Sequence, residues 1–184
     1  GSALSLITAT LLFLGNQRGS DSFFHLSYPG AARHFIATWF VVLGATLLAN
    51  TFFILRKARR EGSAFMTPGL RLAIHSAMPV LIVAAVLTSL FWRNDETTEA
   101  LPILTIIWIS CYGLALLSTA SFAPSSLCVL GWAFLLTGAI AIILIDPLFN
   151  ADPARSAARA MGFTFGLYHL VYGLATWPRK TNAA

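Results

Sequence analysis

Apolar residues fall into long, uninterrupted runs along this chain, and short polar segments separate the runs. Five runs contain no Asp, Glu, Lys or Arg and approach the roughly 20 residues that a helix needs to cross a bilayer. They cover about residues 35–55, 72–92, 101–117, 127–145 and 160–177. Because every backbone N–H and C=O in lipid must be bonded within its own segment, each run is predicted to be a transmembrane α-helix.

A sixth run, at about residues 3–15, is shorter than the others. At 1.5 Å per residue its apolar stretch covers only about 18 Å of a hydrocarbon core about 30 Å thick. Either Gly1 and Ser2 are a cloning remnant and the helix lacks its first turns, or the run is a half-spanning or interfacial segment. We favour the first explanation. The chain is then predicted to be all-α, a single polytopic bundle of six transmembrane helices over residues 1–184.

Basic residues between the runs predict the orientation of this bundle. The segment between the second and third runs, together with the C-terminal segment, holds seven of the 12 Lys and Arg residues. These seven are Arg56, Lys57, Arg59, Arg60, Arg71, Arg179 and Lys180. Since short cytoplasmic segments carry an excess of Lys and Arg, both termini are predicted to be cytoplasmic. Two cytoplasmic termini require an even number of crossings, which supports counting the short first run.

Composition excludes an ordinary soluble domain and changes how the positive charge is interpreted. Hydrophobic residues make up 57% of the chain and charged residues 10%, against about 25% charged in a typical globular domain. The net charge of +5 does not indicate nucleic-acid binding, because the basic residues lie in short segments that flank apolar runs. The predicted partners are membrane lipids and another membrane protein, with no nucleic acid.

A few polar side chains interrupt the apolar runs, and they gather in one half of the predicted membrane. Asn50, His75, Tyr112 and His169 all fall about 5–12 Å from the cytoplasmic boundary when helical rises are counted. Ionisable groups at such depths are candidates for function. We therefore predict a polar layer in the cytoplasmic half. It is either a ligand-binding site or a set of structural hydrogen bonds between helices.

Cofactor chemistry is constrained by how few ligands the apolar runs contain. His75 and His169 could form an axial pair for a b-type haem, whereas a zinc site would need three or four ligands. No metal or other cofactor is predicted. HExxH, GxSxG and P-loop motifs are missing from the sequence, so it favours a protein without enzymatic activity.

The second half of the chain resembles uncharacterised bacterial inner-membrane proteins of similar size. The resemblance lies in WISCYG at 108–113, GWAFLLTG at 131–138 and MGFTFGLYHLVYG at 161–173. It implies a multi-pass protein of the bacterial inner membrane and assigns no chemistry. Small residues within these segments predict close packing, in which Gly131 and Gly138 of the fifth run contact the GxxxG pair Gly162 and Gly166 of the sixth.

Three functional hypotheses follow from the sequence. The first is a membrane domain without catalytic activity that binds a partner or regulates one. The second is a small-molecule or lipid-binding transport subunit, with a pocket in the cytoplasmic half. The third is a b-type haem redox protein that uses His75 and His169.

Overall fold

The protein is helical throughout the part of the chain that its computed structural model describes, residues 31–62, 68–93, 98–121, 124–150 and 152–175. Its elements are α1 (Ala31–Glu61), α2 (Pro68–Arg93), a 3₁₀ turn (Thr98–Ala100), α3 (Leu101–Leu117), α4 (Ser125–Ile143), α5 (Ile145–Phe149), α6 (Pro153–Met161), a π-helical segment (Gly162–Tyr168) and α7 (His169–Ala175). These residues contain no β-strand, so the all-α prediction is confirmed for them. The predicted first run and both termini lie outside the described residues.

Two of the described helices, α2 and α4, are long and apolar enough to cross a membrane. The apolar part of α1, Ala32–Ala45, and the whole of α3 are shorter apolar helices. Each of the five longer predicted runs therefore begins within a described helix. The helices differ in length from the runs because polar residues at their ends also adopt helical structure, most clearly in α1.

Specific residues end two of these helices. Gly62 follows the last residue of α1 with φ of +62°, the left-handed conformation in which glycine commonly terminates a helix. Pro147 ends α4, because the proline ring clashes with the carbonyl four residues earlier, at Ile143. Ile143 is the last residue of α4, and the chain re-enters helix as α5 after Leu144.

The segment between the fifth and sixth runs, residues 146–159, is mostly helical, although the sequence analysis placed it outside the spans. The side chain of Asp152 accepts a hydrogen bond from the backbone N–H of Arg155 at 3.0 Å and caps α6. Pro153 occupies the first turn, where its missing N–H costs nothing. Ala154, Ala157 and Met161 are buried on one face of α6, so this helix belongs to the packed core.

Helices α1 and α2 run antiparallel. The guanidinium Nε of Arg33, near the start of α1, donates to the carbonyl of Trp92 near the end of α2, at 3.3 Å. The 3₁₀ turn at Thr98–Ala100 follows at that same end and contacts α6. The C-terminal end of α1 therefore lies at the opposite end of the molecule from Arg93 and α6.

The described contacts between helix α1 and the core lie in its N-terminal half. Phe35 is 2% exposed and Ile36 is fully buried, and the ring of Phe35 stacks on that of Trp108 in α3 with centroids 6.1 Å apart. Further along the helix, Leu48 is 74% exposed and Phe52 is 59% exposed. The second half of α1 therefore presents these two apolar side chains at the surface of the described structure.

Glycines allow α3 and α4 to approach each other closely. A Cβ placed on Gly113 would lie 2.8 Å from the backbone nitrogen of Leu135 and 2.9 Å from the carbonyl oxygen of Gly131. A Cβ on Gly138 would collide with the hydroxyl of Ser110. The prediction that Gly131 and Gly138 pack against the sixth run is therefore wrong, because both glycines face α3.

Gly113→Ala is expected to destabilise the protein by roughly 1–3 kcal/mol, because the added methyl meets rigid backbone that cannot move aside. Gly44→Ala in α1 is the matched control. A Cβ there has nothing within 4 Å, so it should stabilise the helix by up to about 1 kcal/mol. Thermal unfolding of both variants in detergent micelles measures the difference. Equal midpoints would contradict the close approach of α3 and α4.

Two buried threonines differ in their hydrogen bonding. The hydroxyl of Thr88 in α2 donates to the carbonyl of Ala84 at 2.7 Å and accepts from the indole Nε1 of Trp108 at 2.8 Å. The hydroxyl of Thr105 in α3 is fully buried and has no hydrogen-bond partner among the described residues. The Thr88 hydroxyl joins α2 to α3 by a hydrogen bond, whereas the Thr105 hydroxyl has lost its contact with solvent without gaining a described hydrogen bond.

Replacement of each threonine by the isosteric valine should therefore have opposite effects. Thr88→Val leaves the Trp108 N–H without its acceptor and should cost about 1–2 kcal/mol, while Thr105→Val should be neutral or stabilising by about 1 kcal/mol. Chemical denaturation in detergent tests both variants. Destabilisation by Thr105→Val as large as that by Thr88→Val would show that the Thr105 hydroxyl has a bonding role.

Candidate functional site

Tyr112 and His169, two of the four predicted site residues, are in direct contact. The hydroxyl of Tyr112 in α3 lies 2.8 Å from Nε2 of His169, the first residue of α7. The other ring nitrogen, Nδ1, lies 2.9 Å from the carbonyl oxygen of Phe165. The two side chains join α3 through one hydrogen bond to the C-terminal helix, by which we mean α6, the π-helical segment and α7 together. Both nitrogens of the imidazole are hydrogen-bonded.

The acceptor at Phe165 fixes the direction of these bonds. A carbonyl oxygen can only accept, so Nδ1 must carry the hydrogen. In the neutral ring Nε2 is then the acceptor, and the Tyr112 hydroxyl donates to it. This arrangement uses both nitrogens of the imidazole and the phenolic hydrogen, so each of these groups has a protein partner inside an apolar bundle.

Aromatic rings surround this hydrogen-bonded pair. The ring of Phe134 in α4 is fully buried, with its centroid 4.8 Å from that of Tyr112 and 5.7 Å from that of His169. Phe165 completes the cluster at 5.0 Å from Tyr112 and 5.1 Å from Phe134. Tilted and edge-on rings of this kind add packing energy of roughly 0.5–1.5 kcal/mol per pair. The pair is thus enclosed by aromatic groups.

A second hydroxyl contact joins α4 to the same C-terminal helix. The hydroxyls of Thr137 and Tyr168 lie 2.6 Å apart, and Thr137 also donates to the carbonyl of Ala133 at 2.7 Å. Since the Thr137 hydrogen is directed to Ala133, the Tyr168 hydroxyl donates to Thr137. Neither Thr137 nor Tyr168 is among the site residues predicted from the sequence. The sequence feature that could have identified them is their place next to Gly138 and His169 in the fifth and sixth runs.

The π-helical segment Gly162–Tyr168 leads directly into His169. Wide π turns are rare, and they are frequent at functional positions. Side chains bond to carbonyls at both ends of the segment: Thr164 donates to Ala160 at 2.8 Å, and His169 donates to Phe165. His169 therefore supports the local backbone as well as the contact with α3.

His75, the third predicted site residue, is not part of this cluster. His75 is exposed on α2. It lies thirteen residues before Thr88, roughly 20 Å along the helix, whereas Tyr112 lies only four residues, roughly 6 Å, beyond the Thr88 partner Trp108. The side chain of Asn50 lies outside the described residues. The structure brings together Tyr112 and His169 and leaves His75 roughly 14 Å further along the axis.

A haem ligated by His75 and His169 would require a different arrangement of His169. Its Nε2 would have to leave the Tyr112 hydroxyl before it could bind iron. In the described part of the chain no three His, Cys, Asp or Glu side chains are grouped as they would be around a metal ion. Both cysteines, Cys111 and Cys128, are free thiols. The geometry favours the structural reading of the Tyr112–His169 pair.

No protein-family model matches this chain, and no curated protein or solved structure is similar to it.

The coupling between Tyr112 and His169 can be measured with a double-mutant cycle. Tyr112→Phe should cost roughly 1–2 kcal/mol because it leaves Nε2 of His169 without its donor, and should cost little in a His169→Phe background. Unfolding free energies in detergent provide the four corners of the cycle.

Tyr168→Phe is the matched control for this cycle. It removes a phenolic hydroxyl from the residue next to His169, and that hydroxyl is bonded to Thr137. Because this hydroxyl bonds to Thr137, its loss should couple to His169→Phe more weakly than the loss of the Tyr112 hydroxyl does. A coupling energy for Tyr112→Phe no larger than that for Tyr168→Phe would contradict a hydrogen bond that contributes to stability.

Proposed function

We propose that this protein is a multi-pass integral membrane protein that acts by binding and has no catalytic activity of its own. The observation that carries the membrane assignment is the exposure of α2. Only 6% of its most apolar 18-residue window is buried inside the described structure, and the corresponding share for α4 is 28%. An apolar core helix of a soluble protein would be mostly buried, whereas a helix that faces lipid has this exposure.

The exposed side chains are large and cover neighbouring positions along α2. Leu81, Ile82, Val83 and Val86 are each about half exposed, between 48% and 55%. Soluble proteins seldom expose contiguous apolar patches of this size. A lipid environment would stabilise the surface without any rearrangement of the fold, and membrane lipids are accordingly the first proposed partners.

Six spans with both termini cytoplasmic are the proposed topology. The antiparallel hairpin of α1 and α2 supports two successive spans that cross the membrane in opposite directions, since Arg33 and Trp92 meet at one end. Arg56, Arg59 and Arg60 then lie at the other end, together with Arg71 at the start of α2. Basic residues at one end of a hairpin are what the positive-inside rule requires. The proposed location is the bacterial inner membrane, in keeping with the resemblance of the second half of the chain.

A binding role without catalysis is supported by how the interior polar groups are used. Tyr112, His169, Thr137 and Tyr168 bond to one another or to backbone, in bonds that join helices. Groups so engaged stabilise the bundle, and a partner would then be recognised at its surface. Another membrane protein is the proposed partner besides lipid, since α1 and α2 both offer apolar faces.

Topology can be tested with cysteines placed at the two ends of α4. Ser121 and Asn150 are both exposed and flank this helix. In spheroplasts a membrane-impermeant maleimide should label Asn150→Cys at once and Ser121→Cys only after permeabilisation. The unsubstituted protein, with Cys111 and Cys128 inside helices, is the control for background labelling. Equal labelling of both positions in intact spheroplasts would contradict a span at α4.

A further inference from the structure

The C-terminal end of α1 carries an open hollow whose described lining comes from a single face of that helix. The lining residues are Phe52, Leu55, Arg56, Arg59 and Arg60, and the hollow has a volume of about 450 Å³. Their spacing of three, four, seven and eight residues from Phe52 places them on one side of an α-helix. We refer to these five residues as the arginine hollow.

The charge of the arginine hollow is positive, and its described lining includes no Asp or Glu. Arg56, Arg59 and Arg60 are exposed side chains. Basic residues in a last turn also interact favourably with the carbonyl end of the helix, and this explains Arg59 and Arg60 in part. Arg56 lies one turn earlier, so the helix end alone does not account for three guanidinium groups on one face.

An apolar wall continues directly from the arginines towards the middle of α1. Phe52 lies four residues before Arg56 and is 59% exposed, and Leu55 lies between them on the same face and is half-buried. A free phosphate or a soluble anion would gain nothing from this wall. A molecule with an anionic head and an apolar tail would contact both parts, with the phosphate at the arginines and the first carbons of the chain against Phe52 and Leu55.

We propose that the arginine hollow binds the phosphate of an anionic phospholipid in the cytoplasmic leaflet, with the acyl chain along Phe52 and Leu55. Arginine suits this role because its planar guanidinium donates paired hydrogen bonds to phosphate oxygens. Basic residues next to a membrane helix attract anionic lipids. The inference rests on the proposed membrane location, and it assigns a function to residues that otherwise only set orientation.

The test compares two triple variants of the full chain purified in mild detergent. Arg56→Gln, Arg59→Gln and Arg60→Gln together remove the proposed site. Arg93→Gln, Arg155→Gln and Arg159→Gln together remove the same charge from the opposite end of the molecule. Native mass spectrometry with added phosphatidylglycerol or phosphatidylcholine measures the bound lipid, and circular dichroism with thermal unfolding confirms that each variant is folded.

The unsubstituted protein should retain phosphatidylglycerol at least about tenfold better than phosphatidylcholine. The first triple variant should lose that preference about tenfold or more, and the second should stay within about twofold of the unsubstituted protein. Equal retention of the two lipids, or equal losses in the two variants, would overturn the proposal. A first variant that unfolds is replaced by Arg56→Gln alone, which should lower phosphatidylglycerol retention at least threefold and leave phosphatidylcholine retention unchanged.

Two further measurements separate this proposal from its alternatives. Phe52→Ala should weaken phosphatidylglycerol binding severalfold, and glycerol 1-phosphate should not displace the lipid at equal concentration. Displacement by glycerol 1-phosphate would overturn the lipid assignment in favour of a simple phosphate site. Recovery of the protein from cells without detergent would contradict the membrane assignment itself, whereas a detergent-dependent protein without lipid preference would contradict only the arginine hollow.

Discussion

The close approach of α3 and α4 is the contact on which the rest of the core depends. Gly113 allows it, because any side chain there would meet the backbone of α4 within 3 Å. One residue before this glycine, Tyr112 extends past α4 to reach His169, with its ring 4.8 Å from Phe134. A wider separation of α3 and α4 would move Tyr112 away from Phe134, and both rings contact His169 of the C-terminal helix.

The C-terminal helix meets this pair of helices through a widened backbone. Its π-helical segment ends at His169, and the imidazole donates to Phe165 inside the segment while accepting from Tyr112. The same side chain therefore stabilises a rare local conformation and a tertiary contact. The two roles depend on each other, because a ring turned away from Phe165 would no longer present Nε2 to α3. This coupling gives His169 a structural reason to lie in an apolar helix.

The sequence predicts the helical runs from length and composition, and it places Tyr112 and His169 at a common depth when rises are counted along helices. Their direct contact depends on which helix faces meet, and counting rises does not reveal that. The sequence does not predict α5 and α6, whose apolar positions are too few to resemble a span although Asp152 and Pro153 mark the start of a helix. The π-helical segment has no signature in residue preference, since tertiary contacts determine it. The same count groups His75 with His169, because it measures depth from the end of each run separately. The register between α2 and α3, in which Thr88 bonds to Trp108, instead moves His75 away from Tyr112 along the axis.

The polar side chains in the interior of this protein are therefore not its best candidates for binding a ligand. An intramembrane histidine is a candidate for function by default, but His169 has protein partners at both nitrogens, so a ligand would have to replace bonds that already exist. The three arginines at the end of α1 are exposed, and no hydrogen bond of the interior pair has to break for a phosphate to reach them. The free energy of binding is greatest where the protein has not already satisfied its own groups. By that criterion the arginine hollow is a better binding site than the polar pair in the bundle, although the sequence directs attention to the pair first.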